Sequence, residues 1–312
     1  MKVYTHNYDP RSDSGPNTFT SKLFKRLSND GINICSKFED ADIEFCLIQE
    51  HAPKRNIPRI LRLDGIYFNN KQQFNILNKP ILATYKNADT VVFQSKFNKA
   101  LTEKWFGVHN NSVIIPNGAD INLIDQIPVF DFKNSPISEE SEIWSCASNW
   151  RGHKRLKDNV LYFLKYAPDD AKLIIAGHGA HRVLDFKDKD VISQFGERVF
   201  YIGHLNWELL ISLYKRSTTF LHLAFLDHCP NVVVEAQAAG CEIICASSGG
   251  THELVKRGKI IKDIEWDFLP IDLYSPPELN FENFINVNEV MTDYYLEDAA
   301  VLYKQSMQDL VK

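Results

Sequence analysis

Residues 220–240 read FLHLAFLDHCPNVVVEAQAAG and contain three consecutive signals of local structure. An apolar strand ends near Leu223, a loop carries Asp227, and a helix begins at Pro230–Asn231, where proline is favoured in the first turn. Glu235 lies in the first turns of this otherwise small and apolar helix. A buried carboxylate is costly unless it accepts hydrogen bonds, and vicinal sugar hydroxyls are suitable donors. A helix cap or a structural salt bridge is the alternative.

Short apolar runs alternate with amphipathic stretches on both sides of this segment. Such alternation implies right-handed βαβ crossovers and parallel sheets. A polar segment without periodicity separates two series of alternating strands and helices. This arrangement predicts an α/β protein of two facing doubly wound, Rossmann-like domains with a cleft between them. The predicted parts are a first domain (1–125), a linker (126–141), a second domain (142–285) and a C-terminal helix (286–312) that packs back toward the first domain. The predicted strands are 3–5, 32–35, 43–48, 59–63, 90–93, 112–115, 142–146, 173–176, 199–202, 218–221, 242–246 and 259–261.

The amino-acid composition indicates which class of protein this chain belongs to. The chain has 312 residues, 44% hydrophobic and 24% charged, which is typical of a soluble globular protein with two domains. It has no apolar run long enough for a transmembrane helix, and its start lacks the apolar core of a signal peptide. The six cysteines form no CxxC pair, so we expect free thiols and a cytoplasmic protein.

Charge is distributed unevenly between the two halves. A net charge of -5 argues against a nucleic-acid-binding protein. Residues 1–120 carry 16 basic and 12 acidic side chains, whereas the remainder carries 19 basic and 28 acidic ones. The first domain is therefore expected to meet an anionic partner, with chance surface variation as the alternative.

Two loops that follow predicted strands have the features of a phosphate site. In residues 9–18, Gly15 allows close approach of the backbone, and the helix start at Pro16–Asn17 offers free N–H groups; a purely structural turn is the alternative. Residues 148–159 place four cations near a helix start, where the helix dipole disfavours them unless an anion such as a diphosphate binds. A solvated basic face is the alternative. The four cations are Arg151, Lys154, Arg155 and Lys157.

Several motifs together resemble one enzyme family. Asp227 and Glu235 are eight positions apart and are followed by AQAAG. Other segments occur in a matching order: SKF at 95–97, IPNGAD at 115–120, IIAGHG at 174–179, YIGHL at 201–205 and GGTHE at 249–253. The set resembles the retaining glycosyltransferases of family 4 (group 1 type), which have the GT-B fold. The resemblance extends over most of the chain and implies transfer of a sugar from a nucleotide-diphosphate donor to an acceptor hydroxyl.

The resemblance implies a donor site built mainly by the second domain. Glu235 would accept both ribose hydroxyls, and Asp227, where the family has glutamate, would bind hydroxyls of the transferred sugar. Arg151 and Lys154 would neutralise the diphosphate. Asp64 stands where many members have a histidine near the sugar, with an ordinary Asp-Gly turn as the alternative. Backbone groups would hold the phosphates, the sugar and the base, and they belong to Gly15, Asn231, Val232, Val233, Gly203, His204 and Leu205.

The resemblance also implies retention at the anomeric carbon without a metal ion or other cofactor, because fixed cations and helix N–H groups can replace a divalent metal. The DKD sequence at 188–190 lies in a charged stretch for which exposure is expected. The donor would be a UDP- or GDP-sugar, and the acceptor a glycan or a lipid-linked sugar. A basic helix with Lys22, Lys25 and Arg26 suggests peripheral contact with the inner membrane face, with a solvated helix face as the alternative. A nucleotide-sugar epimerase and a non-catalytic nucleotide-sugar binding protein stay open.

Overall fold

The structure, a computed structural model, describes residues 1–12, 14–133, 135–289 and 294–312. The chain folds into two parallel sheets with helices on both faces, which confirms the predicted α/β class. The first part of the chain builds a six-stranded sheet in the order β2-β1-β3-β4-β5-β6. Its strands are β1 (Lys2–Tyr4), β2 (Asn33–Cys35), β3 (Ile43–Leu47), β4 (Arg59–Leu63), β5 (Thr90–Phe93) and β6 (Ser112–Ile114). The helices of this part are α1 (Gly15–Ser28), α2 (Phe74–Asn87), α3 (Lys96–Phe106) and α4 (Ile121–Gln126).

The second part of the chain builds a seven-stranded sheet in the order β13-β12-β11-β10-β7-β8-β9. Its strands are β7 (Ile143–Ala147), β8 (Lys172–Ala176), β9 (Val199–Gly203), β10 (Thr219–His222), β11 (Glu242–Ala246), β12 (Arg257–Ile261) and β13 (Phe284–Asn288). Its helices are α5 (Leu156–Tyr166), α6 (Lys189–Ser193), α7 (Trp207–Arg216) and α8 (Asn231–Ala238). The strand order reverses between β10 and β7, and ligands of doubly wound sheets bind at such a switch point.

All twelve predicted strands are present within two residues at each end. The strand β13 was not predicted. It pairs antiparallel with β12 at the sheet edge, and most of its side chains are exposed, so its sequence lacks a buried apolar run.

The last helix, α9 (Leu296–Val311), packs against α1 and β3 of the first sheet. Tyr303 and Met307 are fully buried in the core of this part, and the Tyr303 ring lies 6.3 Å from Phe19 and 6.0 Å from Phe45. The polar segment between the sheets also contributes to a core, since Phe132 and Ile137 are buried against the second sheet. Residues 290–293 of the predicted C-terminal helix lie outside the described residues, and α9 begins only at Leu296, after β13. None of the described helices is long and apolar enough to cross a membrane.

Candidate functional site

The loop between β10 and α8 is fixed by backbone contacts to the loop after β11. Leu226 has a positive φ of 54°, and the Gly250 N–H donates to the Asp227 carbonyl at 2.7 Å. Gly249 also has a positive φ, and a Cβ there would overlap the backbone of Asp227, so only glycine fits. The side chain of Asp227 is thereby held at the carboxyl end of β10.

Asp227 binds a cation and a histidine with one oxygen. Its Oδ2 accepts from Lys154 Nζ at 2.5 Å and from His222 Nε2 at 3.0 Å, while Oδ1 accepts from the His228 N–H at 3.0 Å. Burial alone would raise the pKa of Asp227, but the Lys154 charge and the His222 hydrogen bond outweigh it and hold this pKa well below its usual range. The carboxylate is therefore ionised and already bonded at neutral pH.

The histidines near Asp227 are neutral, so Lys154 carries the positive charge opposite this carboxylate. Burial lowers the pKa of His222, although its bond to Asp227 opposes the effect. Burial lowers the pKa of His228 to about 4 and that of His153 to about 3. A neutral His222 donates its Nε2–H to Asp227, which defines its tautomer.

The four cations of residues 148–159 have different partners. Arg155 is fully buried and donates to Asp263 at 2.6 Å and 3.3 Å, so its role is structural. Lys157 pairs with the exposed Asp185 on the surface. Lys154 faces Asp227, and Arg151 is exposed at the start of the short 3-10 turn Gly152–Lys154. Of the four, Lys154 is paired with Asp227 and Arg151 is exposed, and these are the two that the resemblance assigns to the diphosphate.

Glu235 is paired across the cleft. Its Oε1 accepts from Lys22 Nζ of α1 at 2.5 Å and from Trp207 Nε1 of α7 at 2.9 Å. The ammonium group of Lys22 lies 4.4 Å from the centre of the Trp207 ring. The side chains of Lys22 and Glu235 are 16% and 7% exposed. The salt-bridge alternative considered for Glu235 is therefore present in this structure, and the expected free basic face of α1 does not include Lys22.

A chain of hydrogen bonds connects the first sheet with the start of α8. Arg62 donates to Asp64 at 2.5 Å and to the Asn117 side chain at 2.9 Å. Asn117 donates to the Asn231 side chain at 2.7 Å, which in turn donates to the Gly15 carbonyl at 3.2 Å. Gly15 and Asn231, which the resemblance assigns to the donor site, are thus in contact, and Asp64 lies at the same junction.

Asp64 is bonded rather than free. Gln94 donates to one carboxylate oxygen and Arg62 to the other. Burial raises the pKa of Asp64, although the Arg62 charge opposes the rise. The next residue, Gly65, lies against the ring of His228, because a Cβ there would touch the imidazole at 2.7 Å. Asp64 is therefore close in space to the loop that carries Asp227.

The predicted base-binding loop lies at the carboxyl ends of β8 and β9. Gly203 has a positive φ, and its carbonyl accepts from the Gly177 N–H at 2.7 Å. The rings of His204 and His178 are exposed and stack with 4.2 Å between centres. Leu205 is partly buried against the core of the second sheet. Val232 and Val233 begin α8, with Val233 buried.

A second contact joins the two parts of the chain on the other side of Asp227. Glu253 accepts from the backbone N–H groups of Lys96 and Phe97 at 2.7 Å and 2.8 Å, so it caps α3 from the opposite domain. Trp105 donates to the Phe268 carbonyl at 2.8 Å nearby. The cleft is thus bridged both at α8 and at α3.

Sequence reasoning missed the partners of the acids. The sequence shows Lys22 only as part of a basic helix and Asn117 only as part of a motif. No local pattern relates Trp207 to Glu235 or His222 to Asp227. Asp188 and Asp190 are exposed, and Asp188 caps α6. In the described part of the chain, one group of side chains is close enough together to hold a metal, the buried Glu44, Cys46 and Glu50.

Comparisons with known proteins agree with this architecture. Residues 130–267 match the family model of group 1 glycosyl transferases. A Methanocaldococcus jannaschii protein, "Uncharacterized glycosyltransferase MJ1607", is 24% identical over 233 residues, which cover 70% of this chain and 57% of that protein. The matched region therefore spans little more than half of that relative.

Two solved structures share the fold over nearly the whole chain. The sucrose-phosphate synthase of Thermosynechococcus elongatus has a TM-score of 0.74 at 14% identity and covers 99% of both chains. The Anabaena protein HepE, solved in complex with UDP and glucose, has a TM-score of 0.65 at 13% identity and covers 99% of this chain and all of its own. The chain has the GT-B fold, and residues 130–267, most of which lie in the second domain, are similar to group 1 glycosyl transferases.

Proposed function

We propose that this chain transfers a sugar from a nucleotide-diphosphate donor to an acceptor hydroxyl. The observation that carries the proposal is the position of Lys154, which is bonded to Asp227 at the carboxyl end of β10, next to the loop that leads into α8. Glu235 lies one turn further along α8. A cation, a helix start and a carboxylate thus follow one another in the order in which the two phosphates and the ribose of a nucleoside diphosphate would lie.

The proposed roles of the cations follow from where negative charge develops during the reaction. Departure of the nucleoside diphosphate puts negative charge on the β-phosphate. Lys154 and Arg151, together with the positive end of the α8 dipole, stabilise that charge as fixed groups. Because Asp227 holds Lys154 in place, little reorganisation is needed during the reaction. The HepE structure with UDP and glucose supports a UDP-sugar as the first donor to test, with a GDP-sugar second.

Retention at the anomeric carbon and independence of metal are part of the proposal. The motif resemblance supports front-face attack assisted by the leaving phosphate. The two cations supply the charge that a divalent metal supplies in other transferases. We expect transfer in the presence of EDTA to equal transfer in buffer alone. A requirement for Mg²⁺ or Mn²⁺ would contradict independence of metal. An inverted anomeric configuration of the product, measured by NMR, would contradict retention.

We place the acceptor in a cavity of about 330 Å³ on the first domain. Its lining is rich in amides, and none of the described residues that line it is charged, which suits a neutral hydroxylated acceptor such as a glycan. The lining residues are Asn7, Ser14, Pro16, Asn17, Leu47, Ile48, Gln49 and Tyr67. A lipid-linked sugar would use the same hydroxyl chemistry.

The six free cysteines, five of them buried, support a reducing compartment such as the cytoplasm.

The decisive experiment combines binding with turnover. UDP and GDP are titrated by calorimetry, and UDP-glucose is then incubated with and without a panel of glycans. Glu235→Ala should weaken nucleotide binding at least tenfold, because the ribose loses its acceptor. Unchanged affinity would contradict the site. Binding without turnover would favour a binding protein, and sugar isomerisation without an acceptor would favour an epimerase.

A further inference from the structure

Lys22 forms an ion pair with the carboxylate of Glu235, the group that the proposed function assigns to the donor ribose. The ammonium group of Lys22 is 2.5 Å from Glu235 Oε1 and comes from the opposite domain. The same oxygen accepts the Trp207 N–H, so Oε1 already receives two donors. A ribose diol needs this carboxylate for its own hydroxyl hydrogens.

The crevice around this ion pair is closed. It is bounded by side chains of α1 and α8 and by the loop before α4, and it leaves no room for a water molecule. The residues that bound it are Phe19, Lys22, Gly118, Asn231, Val234 and Glu235. A ribose hydroxyl can therefore bind Oε1 through this crevice only after Lys22 moves away.

The ion pair also has a physical reason to exist without a ligand. The Glu235 side chain is 7% exposed, and a buried carboxylate without a partner is strongly destabilising. Lys22 neutralises it, and the Trp207 ring face adds a favourable contact with the ammonium group. When a ribose arrives, its hydroxyls replace the lysine as hydrogen-bond donors, while the Trp207 bond can stay.

We propose that Lys22 is an internal competitor of the nucleotide donor and determines donor affinity by occupying Glu235. This inference rests on the proposed function. The apparent dissociation constant equals the intrinsic one divided by the fraction of molecules whose site is free. An ion pair formed in about nine molecules of ten thus weakens apparent binding about tenfold.

The test compares two neutral substitutions with a control on the same helix. Lys22→Met keeps the aliphatic stem and removes the charge, and Lys22→Gln keeps a polar end group. Lys25→Met alters an exposed lysine one turn away. UDP and GDP are titrated by calorimetry against each variant and the wild type. We expect both Lys22 variants to bind the better nucleotide about tenfold tighter, and Lys25→Met to bind it like the wild type.

The outcomes separate this inference from the proposed function. Unchanged or weaker binding by both Lys22 variants, with binding still weakened at least tenfold by Glu235→Ala, would overturn the competitor role and leave the donor site intact. Absence of UDP and GDP binding in the wild type and in both Lys22 variants would overturn the proposed function and this inference with it. Tighter binding by Lys25→Met as well would reduce the effect to general surface charge and also overturn the inference.

Discussion

The substitution Asp227→Asn should show how much the charge of this side chain, as distinct from its size, contributes to the free energy of unfolding. The carboxylate accepts from Lys154 at 2.5 Å and from His222 at 3.0 Å, and the side chains of Lys154 and Asp227 are 18% and 16% exposed. Asparagine has nearly the same size but leaves Lys154 without a counter-ion. Removing one partner costs about 3–5 kcal/mol for a fully buried pair, whereas an exposed pair contributes about 0.2–1 kcal/mol. For this partly exposed pair we expect a loss of about 2 kcal/mol at pH 7.

The pH dependence of that loss tests its electrostatic cause. The folded-state pKa of Asp227 lies well below the ordinary value of 3.8, so the unfolded chain binds the proton more tightly. The stabilisation is therefore fully present above about pH 5 and is lost as the pH falls through 3.8 toward the folded-state pKa, by about 1.4 kcal/mol per pH unit. The difference in stability between wild type and Asp227→Asn should shrink over the same range.

Urea unfolding followed by tryptophan fluorescence, from pH 7 to pH 3, measures this difference. Asp185→Asn is the matched control, because Asp185 pairs with Lys157 but is 78% exposed. We expect that control to change the free energy of unfolding by less than about 0.5 kcal/mol at any pH. A difference for Asp227→Asn that is absent at pH 7, or equally large at pH 7 and pH 3, would refute the reasoning.

Three further comparisons of variants have expected outcomes. Arg155→Leu leaves Asp263 buried without its cation and should cost about 3–5 kcal/mol in urea unfolding, whereas Lys157→Met should cost less than about 0.5 kcal/mol; equal losses would contradict the different roles of the two cations. Glu253→Gln weakens the cap that one domain places on α3 and should cost about 1 kcal/mol in urea unfolding, with faster proteolysis between the domains; an unchanged digestion pattern would count against a bridging role. Tyr67→Ala should raise the acceptor KM several-fold and leave the donor KM unchanged in transfer assays, and the opposite pattern would exclude the 330 Å³ cavity as the acceptor site.

The strands in the middle of the sheets were predictable because they pack mainly apolar runs into a core. β3, β4, β5 and β7 are buried along their whole length, and burial of both faces gives mainly apolar runs that a sequence shows directly. β13 differs because its partner lies only on one side and most of its side chains face solvent. Its position depends on pairing with β12, which no local pattern reports.

The candidate site was predictable to the extent that its residues come from one loop and the helix after it. Asp227 and Glu235 lie eight positions apart on a single strand–loop–helix unit, so local sequence already places them on the same side of the cleft. The cations of residues 148–159 were predictable as a group but not individually. Arg155 has a left-handed backbone with φ of 49°, and its partner Asp263 is 108 positions away.

The pairing of the acids depends on how the two domains approach each other. Lys22 meets Glu235 across 213 positions, Asn117 meets Asn231 across 114, and Glu253 meets the start of α3 across 156. Each of these contacts joins opposite domains, so each breaks if the cleft opens. The carboxylate of Glu235, which the sequence resemblance predicts to bind sugar hydroxyls, is therefore paired in this structure, and the proposed function requires the domains or the Lys22 side chain to move. On that proposal, the affinity for a donor depends on first-domain residues as well as on the second-domain motif.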